Sequence, residues 1–226
     1  MSAQAPAAPA AAPVIYPEGD GRPIAENTKQ FRWIVTIEGG LEALLRDDPN
    51  VFVAGDLLWY PVEGRPDICT APDAMVVFGR PKGDRSAYLQ WLEGGIAPQV
   101  VFEVLSPGDT VADLVRKFQF YDRYGVEEYY IYDPDRGRLE GWLRRDGALQ
   151  EIESMQGWVS PRLGIRFELA PDGELRLYRP DGERFASYVE LMAQRDRERQ
   201  RAEQERQRAE RLAAQLRALG VEPTGD

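Results

Sequence analysis

A chain of 226 residues, 43% apolar and 29% charged, is long enough for one globular domain with appendages and excludes collagen-like, wholly disordered and membrane-spanning classes. It has no histidine and a single cysteine, Cys69, which removes Ser-His-Asp and Cys-His catalysis, histidine zinc sites, internal disulfides and cysteine-cluster metal sites. The formal charge of -10 is uneven, with nineteen basic against thirty acidic residues in 1–183, so broad phosphate binding is disfavoured while a carboxylate site that recruits cations is not.

The Ala- and Pro-rich opening, residues 1–26, lacks a basic region or an apolar run and is expected to be a disordered tail and not a signal peptide. Lone-cysteine usage suits a reducing compartment, with the cytoplasm as the expected location. From Asn27 or Thr28, either of which can cap a helix, Phe31, Ile34, Ile37, Leu41, Leu44 and Leu45 follow a helical period across Gly39-Gly40. Val51 to Tyr60 reads as two short strands around a Gly55-Asp56 hairpin turn. A strand that opens with proline and aspartate follows at Pro72–Phe78, a short helix is expected near Tyr88–Leu92, and Val100–Ser106 reads as a buried strand. Asp109 is a plausible cap for a helix with Val111, Leu114, Val115, Phe118 and Tyr121 on one stripe, stopped by Gly125. Tyr129–Tyr132 is another strand. The stretch to Tyr178 reads as a meander punctuated by Asp-Gly turns at 146, 172 and 181. From Phe185 a long helix is predicted, with a near-repeat of ERQRAEQ at 198–204 and ERQRAER at 205–211. Its seam is apolar at both ends but carries Arg195, Glu198 and Glu205, which leaves a solvated helix and a weak coiled coil both open. The parts are thus a tail at 1–26, a domain at 27–183, a long helix at 184–219 and a second tail at 220–226. Strands, a crossover helix, a further strand and hairpins make an α/β domain on a mixed sheet.

Glu103 lies in a strand apolar on both faces, where an ionised carboxylate needs a partner or a cation. A salt bridge to Lys117 or an arginine would satisfy it structurally. Asp73 opens a strand in the same way, although Pro-Asp is also an ordinary turn dipeptide, as at Pro66-Asp67. If the strands are neighbours, the two carboxylates meet at one sheet end, and their repulsion is resolved by a shared proton or a hard divalent cation. Lys117 borders the buried stripe of the following helix and could reach over the Glu103 strand or pair with Asp113 one turn back. Ser106-Pro107-Gly108-Asp109 makes the strand-to-helix turn, whose amides could face an anion.

APDAMVVFG at 71–79, VVFEVLSP at 100–107, and the D-x-x-x-K-x-x-x-Y-x-x-x-G-V-x-E-Y run from Asp113 together resemble the Uma-two restriction-endonuclease family, a branch of the PD-(D/E)XK nuclease superfamily. The resemblance covers about 27–180. It implies a restriction-endonuclease-like mixed β-sheet flanked by helices, here followed by the long C-terminal helix. It also implies divalent-cation binding by Asp73 and Glu103 and an active-site lysine. The superfamily lysine stands two residues after the acidic strand residue; Leu105 occupies that place here, and the family is thought to supply the lysine from the next helix, as Lys117. The superfamily's acidic residue on the first helix has only Glu38 and Glu42 as counterparts.

The reading that follows is an endonuclease acting on DNA, with Asp73, Glu103 and the Val104 carbonyl holding Mg²⁺ or Mn²⁺ and Lys117 serving the chemistry. A homodimer joined through the core, with weak contacts through the C-terminal helix, would present two sites to two strands. The alternative is a non-catalytic module of the same fold that binds nucleic acid or a protein partner.

Overall fold

In the computed structural model, which describes residues 14–19, 21 and 23–218, the first apolar stripe forms helix α1, Thr28–Leu44. Asn27 caps it, accepting hydrogen bonds from the Lys29 and Gln30 amides that a helix start leaves open. Gly39 and Gly40 do not break the helix. A Cβ on Gly40 would lie 2.2 Å from the Phe185 ring, so glycine here permits close packing, whereas Gly39 faces open space.

Six strands form one mixed sheet in the order β1-β3-β5-β6-β7-β8. They are β1 (Val51–Ala54), β3 (Ala74–Phe78), β5 (Val100–Val104), β6 (Glu128–Asp133), β7 (Arg138–Arg145) and β8 (Ala148–Glu151). The β5 and β6 pair is parallel and the others antiparallel. Parallel neighbours need a crossover, and helix α2, Val111–Tyr124, supplies it. Alternation along the strands divides the core. Val53, Val76, Phe102 and Val104 join Ile34, Ile37 and Leu41 of α1 on one face. Met75, Val77, Val101 and Tyr129 join Tyr121, Leu114 and Phe118 of α2 on the other. A separate hairpin of β9 (Arg166–Leu169) and β10 (Leu175–Tyr178) covers more of the α1 face, with the Phe167 ring 4.5 Å from that of Tyr130.

Four local expectations are corrected. The segments either side of Gly55-Asp56 do not form a hairpin: β1 pairs with β3, and β2 (Trp59–Tyr60) pairs in parallel with β4, Tyr88–Leu89. That second strand lies where a helix was expected, because Tyr88 is buried and its backbone is drawn onto Leu58 and Tyr60. The cap of α2 is Thr110, in a reciprocal capping box with Asp113, while Asp109 accepts from the Ser106 amide. The meander divides into two hairpins: β7 and β8 are joined across Asp146 and Gly147, both at positive φ as a two-residue hairpin turn demands, while β9 and β10 pair around Asp172-Gly173 in a sheet of their own and do not continue the first.

Gly125 closes α2 in the left-handed conformation. Arg144 of β7 secures the same end, donating to the carbonyls of Tyr121, Asp122 and Val126, while the Asp122 carboxylate accepts from the Leu149 amide of β8. The described part of the expected tail lies along the domain: the Tyr16 ring packs on Tyr60 and Trp91, and Tyr60 donates to the Pro17 carbonyl. Residues 1–13 of that expected tail and the tail at 220–226 fall outside the described residues.

The chain divides into two compact units, 1–185 and 186–226. In the second, α3 (Tyr188–Ala218) is capped by Ser187 with Glu190, has no buried residue, and is laced by pairs such as Arg206 with Glu203.

Candidate active site

The antiparallel register that pairs Ala74 with Phe102 places Asp73 opposite Glu103 when carried one residue further. Both carboxylates are buried, Glu103 at 2% exposure. The Val104 amide donates to Asp73 Oδ2 at 2.6 Å, so the Asp73 side chain closes the end of the β3–β5 ladder. Burial first, and then the charge of Glu103, push the Asp73 carboxyl well above the usual carboxylate range.

Glu103 points to the α2 side of the sheet. Lys117 Nζ donates to its Oε2 at 2.6 Å and the Tyr121 hydroxyl donates to its Oε1. The Glu103 to Lys117 contact is therefore the salt bridge that burial of Glu103 demanded, and Asp113 is left to Arg116 and the helix cap. Burial works against the Lys117 ammonium, but Glu103 and Asp73 outweigh it and hold its pKa above the ordinary lysine value. Tyr121 is fully buried, its ring parallel to that of Trp59, and burial followed by Glu103 raises its pKa so that it remains a neutral donor. The Tyr129 hydroxyl, on the same face, is buried with no hydrogen-bond partner among the described residues.

Asp73 and Lys117 open onto a cleft of about 850 Å³ walled by α2, the strand-to-helix turn and the segments around Ala25 and Thr70. The cleft contains carboxylates that sequence patterns did not single out or singled out for other reasons. Glu26, just before α1, accepts from the Ser106 hydroxyl at 2.7 Å, and Asp109 accepts from the same hydroxyl at 3.0 Å. Gln30 of α1 reaches the Val104 carbonyl with its Nε2 at 2.8 Å. Of the two acidic residues on α1, Glu42 pairs with Lys82 at the surface, and Glu38 packs beside Gly55, its carboxyl pKa raised by burial and then by Glu42. Asp67 lines the cleft but is paired with Arg65. A further buried carboxylate, Glu128, is satisfied by the Tyr130 and Ser160 hydroxyls and the Arg162 amide, which marks it as structural.

The atoms that could serve as ligands, the Asp73 and Glu103 carboxylates and the Val104 carbonyl, are all oxygens, which suits a hard divalent cation. Among the described residues no three Asp, Glu or Cys side chains cluster closely enough to hold an ion by themselves. Asp73 Oδ1 takes no hydrogen bond among the described residues, and the Val104 carbonyl, which has two lone pairs, uses one on Gln30. The set present thus fits a cation completed by backbone, water or substrate oxygens.

A mixed six-stranded sheet with a helix on each face, bearing two strand carboxylates and a helix lysine at one end, has the make-up of a restriction-endonuclease-like domain. The chain belongs to the family whose model is described as "Uma2: Putative restriction endonuclease", which matches residues 20–176. Among solved structures it is similar to one described as a "putative nuclease belonging to DUF820" from Anabaena variabilis ATCC 29413. The two are 15% identical, with 60% of this chain and 72% of that chain covered and a TM-score of 0.45. No curated protein matches the chain.

Proposed function

We propose that this chain is a divalent-cation-dependent endonuclease that hydrolyses DNA phosphodiester bonds. The observation that supports this best is the convergence of Asp73, Glu103 and Lys117, from two adjacent strands and the crossover helix, at one end of a cleft. Asp73, Glu103 and the Val104 carbonyl would hold Mg²⁺ or Mn²⁺, which when bound supplies Lewis acidity at the phosphate and lowers the pKa of water. Lys117 lines the cleft and would place its ammonium against the attacking water or a phosphate oxygen, offsetting charge as it develops. Glu103, too buried to meet substrate itself, holds Lys117 in place, and Tyr121 fixes the orientation of Glu103. The protein acts in the cytoplasm as a homodimer joined through the core, with weak contacts through α3, so that two sites serve two strands.

The test is cleavage of circular DNA by the purified protein with Mg²⁺ or Mn²⁺, stopped by chelator. Asp73→Asn and Glu103→Gln should each abolish the calorimetric heat of Mn²⁺ binding, and Lys117→Met should lower turnover at least ~100-fold, with Lys82→Met as a surface control. Unchanged Mn²⁺ heats in both carboxylate variants would remove these residues from the site. One observation favours the alternative of a non-catalytic module: both Glu103 oxygens are already engaged, by Lys117 and Tyr121. Cation binding without cleavage of any nucleic acid would decide for it.

A further inference from the structure

Helix α2 presents more than Lys117 to the cleft. Lys117, Phe120, Arg123 and Tyr124 all line it, and their spacing of three, four and seven residues places them on one helical face. Phe120 and Tyr124 are half-buried, their ring centroids 4.7 Å apart at an interplanar angle of 58°, so together they form a notch with two aromatic walls. The notch is braced from below. Phe120 meets the fully buried Trp59 edge-on at 5.2 Å, and the Trp59 indole donates to Gln90 at 2.9 Å. Arg123 is exposed, lies over the Tyr124 ring at 5.5 Å, and has no carboxylate partner among the described residues.

We infer that this wall is a base-stacking subsite and that the preferred substrate is unpaired DNA, a single strand or a frayed end, with one base seated against Phe120 and Tyr124 and the flanking backbone reaching Arg123. The inference rests on the reading that a DNA strand enters this cleft. Phe120 lies ~4.5 Å along the helix axis from Lys117. That is about one base step at the ~3.4 Å rise of a stacked strand, so a base on the notch belongs to a nucleotide beside the phosphate at Lys117. Charge strengthens the case. Residues 1–183 carry eleven more acidic than basic side chains, and Glu26, Asp56, Asp109 and Asp113 line the same cleft as Asp73. Backbone electrostatics are therefore a poor source of affinity, and stacking, which does not depend on net charge, must supply more of it. A duplex hides its base faces within the stack and offers the notch nothing to hold.

The experiment is fluorescence anisotropy with the full chain at low ionic strength in the presence of chelator, so that hydrolysis plays no part. The probes are a labelled thymidine oligonucleotide and a labelled duplex of equal length. Single strand should bind at least ~10-fold more tightly than duplex, and Phe120→Ala should remove at least ~10-fold of the single-strand affinity. Phe120→Trp should retain that affinity. Tyr124→Leu, at a half-exposed position and with an apolar side chain kept on Phe120, guards against a folding defect in Phe120→Ala and should also weaken single-strand binding. Equal affinity for the two probes, or wild-type single-strand binding by a folded Tyr124→Leu and Phe120→Ala, overturns the proposal. Absence of binding to either probe does so as well. Because cleavage of circular DNA is read separately, a failed subsite leaves the nuclease reading standing, and failed cleavage leaves the binding preference measurable.

Discussion

Replacing Lys117 with methionine keeps the unbranched stem beside Leu114 and Tyr121 but deletes the ammonium that faces Glu103. Removing one member of a fully buried ion pair costs ~3–5 kcal/mol because the other charge is left without compensation. Two features reduce that figure here: the Lys117 side chain is 30% exposed, and Glu103 keeps the hydrogen bond from Tyr121. The expected loss is ~2–3 kcal/mol, or ~5–10 °C in Tm for a domain of this size. Glu103→Gln should cost less, ~1 kcal/mol, since the stranded ammonium can turn toward the cleft. The double variant should be more stable than the sum of the two losses predicts, by at least ~1 kcal/mol. Denaturant unfolding in chelator, followed by tryptophan fluorescence, is the assay; all five tryptophans lie within residues 33–158, so it reports on the first unit alone. Equal single-variant losses, or strict additivity, would refute the claim that Lys117 compensates the buried charge of Glu103.

Asp73 has a folded-state pKa above its unfolded value, so its ionised form detracts from stability at neutral pH, and the deficit disappears as the pH falls below the unfolded value near ~4. Asp73→Asn, which keeps an acceptor for the Val104 amide, should therefore be more stable than the parent at pH 8 in chelator and equal to it near pH 4, measured by thermal melts. Gly39→Ala should stabilise α1 by ~0.5–1 kcal/mol, whereas Gly40→Ala should destabilise by ~1–3 kcal/mol through collision with the Phe185 ring; chemical denaturation of both variants distinguishes them. If the proposed dimer is joined through the core, removal of residues 190–226, which leaves Phe185 in its packed place, should give a folded protein that is at least partly dimeric by light scattering. A clean monomer would assign the assembly to α3.

The sequence was most readable where a residue contradicted its surroundings or ended a pattern. Glu103 stood out because Val100–Val104 is otherwise apolar, and Gly125 because it terminates the stripe that ends at Tyr121. Non-local pairing was not readable. Nothing within Val51–Tyr60 says that β1 turns to β3 rather than to β2, or that the two residues Tyr88–Leu89 complete a parallel pair with β2. The cap of α2 went to Thr110 over Asp109 because a reciprocal box with Asp113 was available one residue later. Glu26 and Gln30 reach the cleft from the start of α1, and no local motif signals that placement. The helical period places Tyr121 on the buried stripe, where its ring does lie, while the destination of its hydroxyl depends on how α2 sits on β5.

Arg144 and Asp122 tie the end of α2 to β7 and β8, two and three places along the strand order from β5. The strands that carry the carboxylates and the strands that anchor the lysine-bearing helix are thus different parts of one rigid frame, and the alignment of the two charges is a property of the frame's width. A lengthened β7–β8 turn, a slipped register at that edge or a partner strand added beside β8 would tilt the helix like a lever, altering the Glu103 to Lys117 separation with every cleft residue intact. Sequence change at the rim of the sheet is accordingly a route by which relatives of this chain could tune or silence their chemistry without touching the residues that perform it.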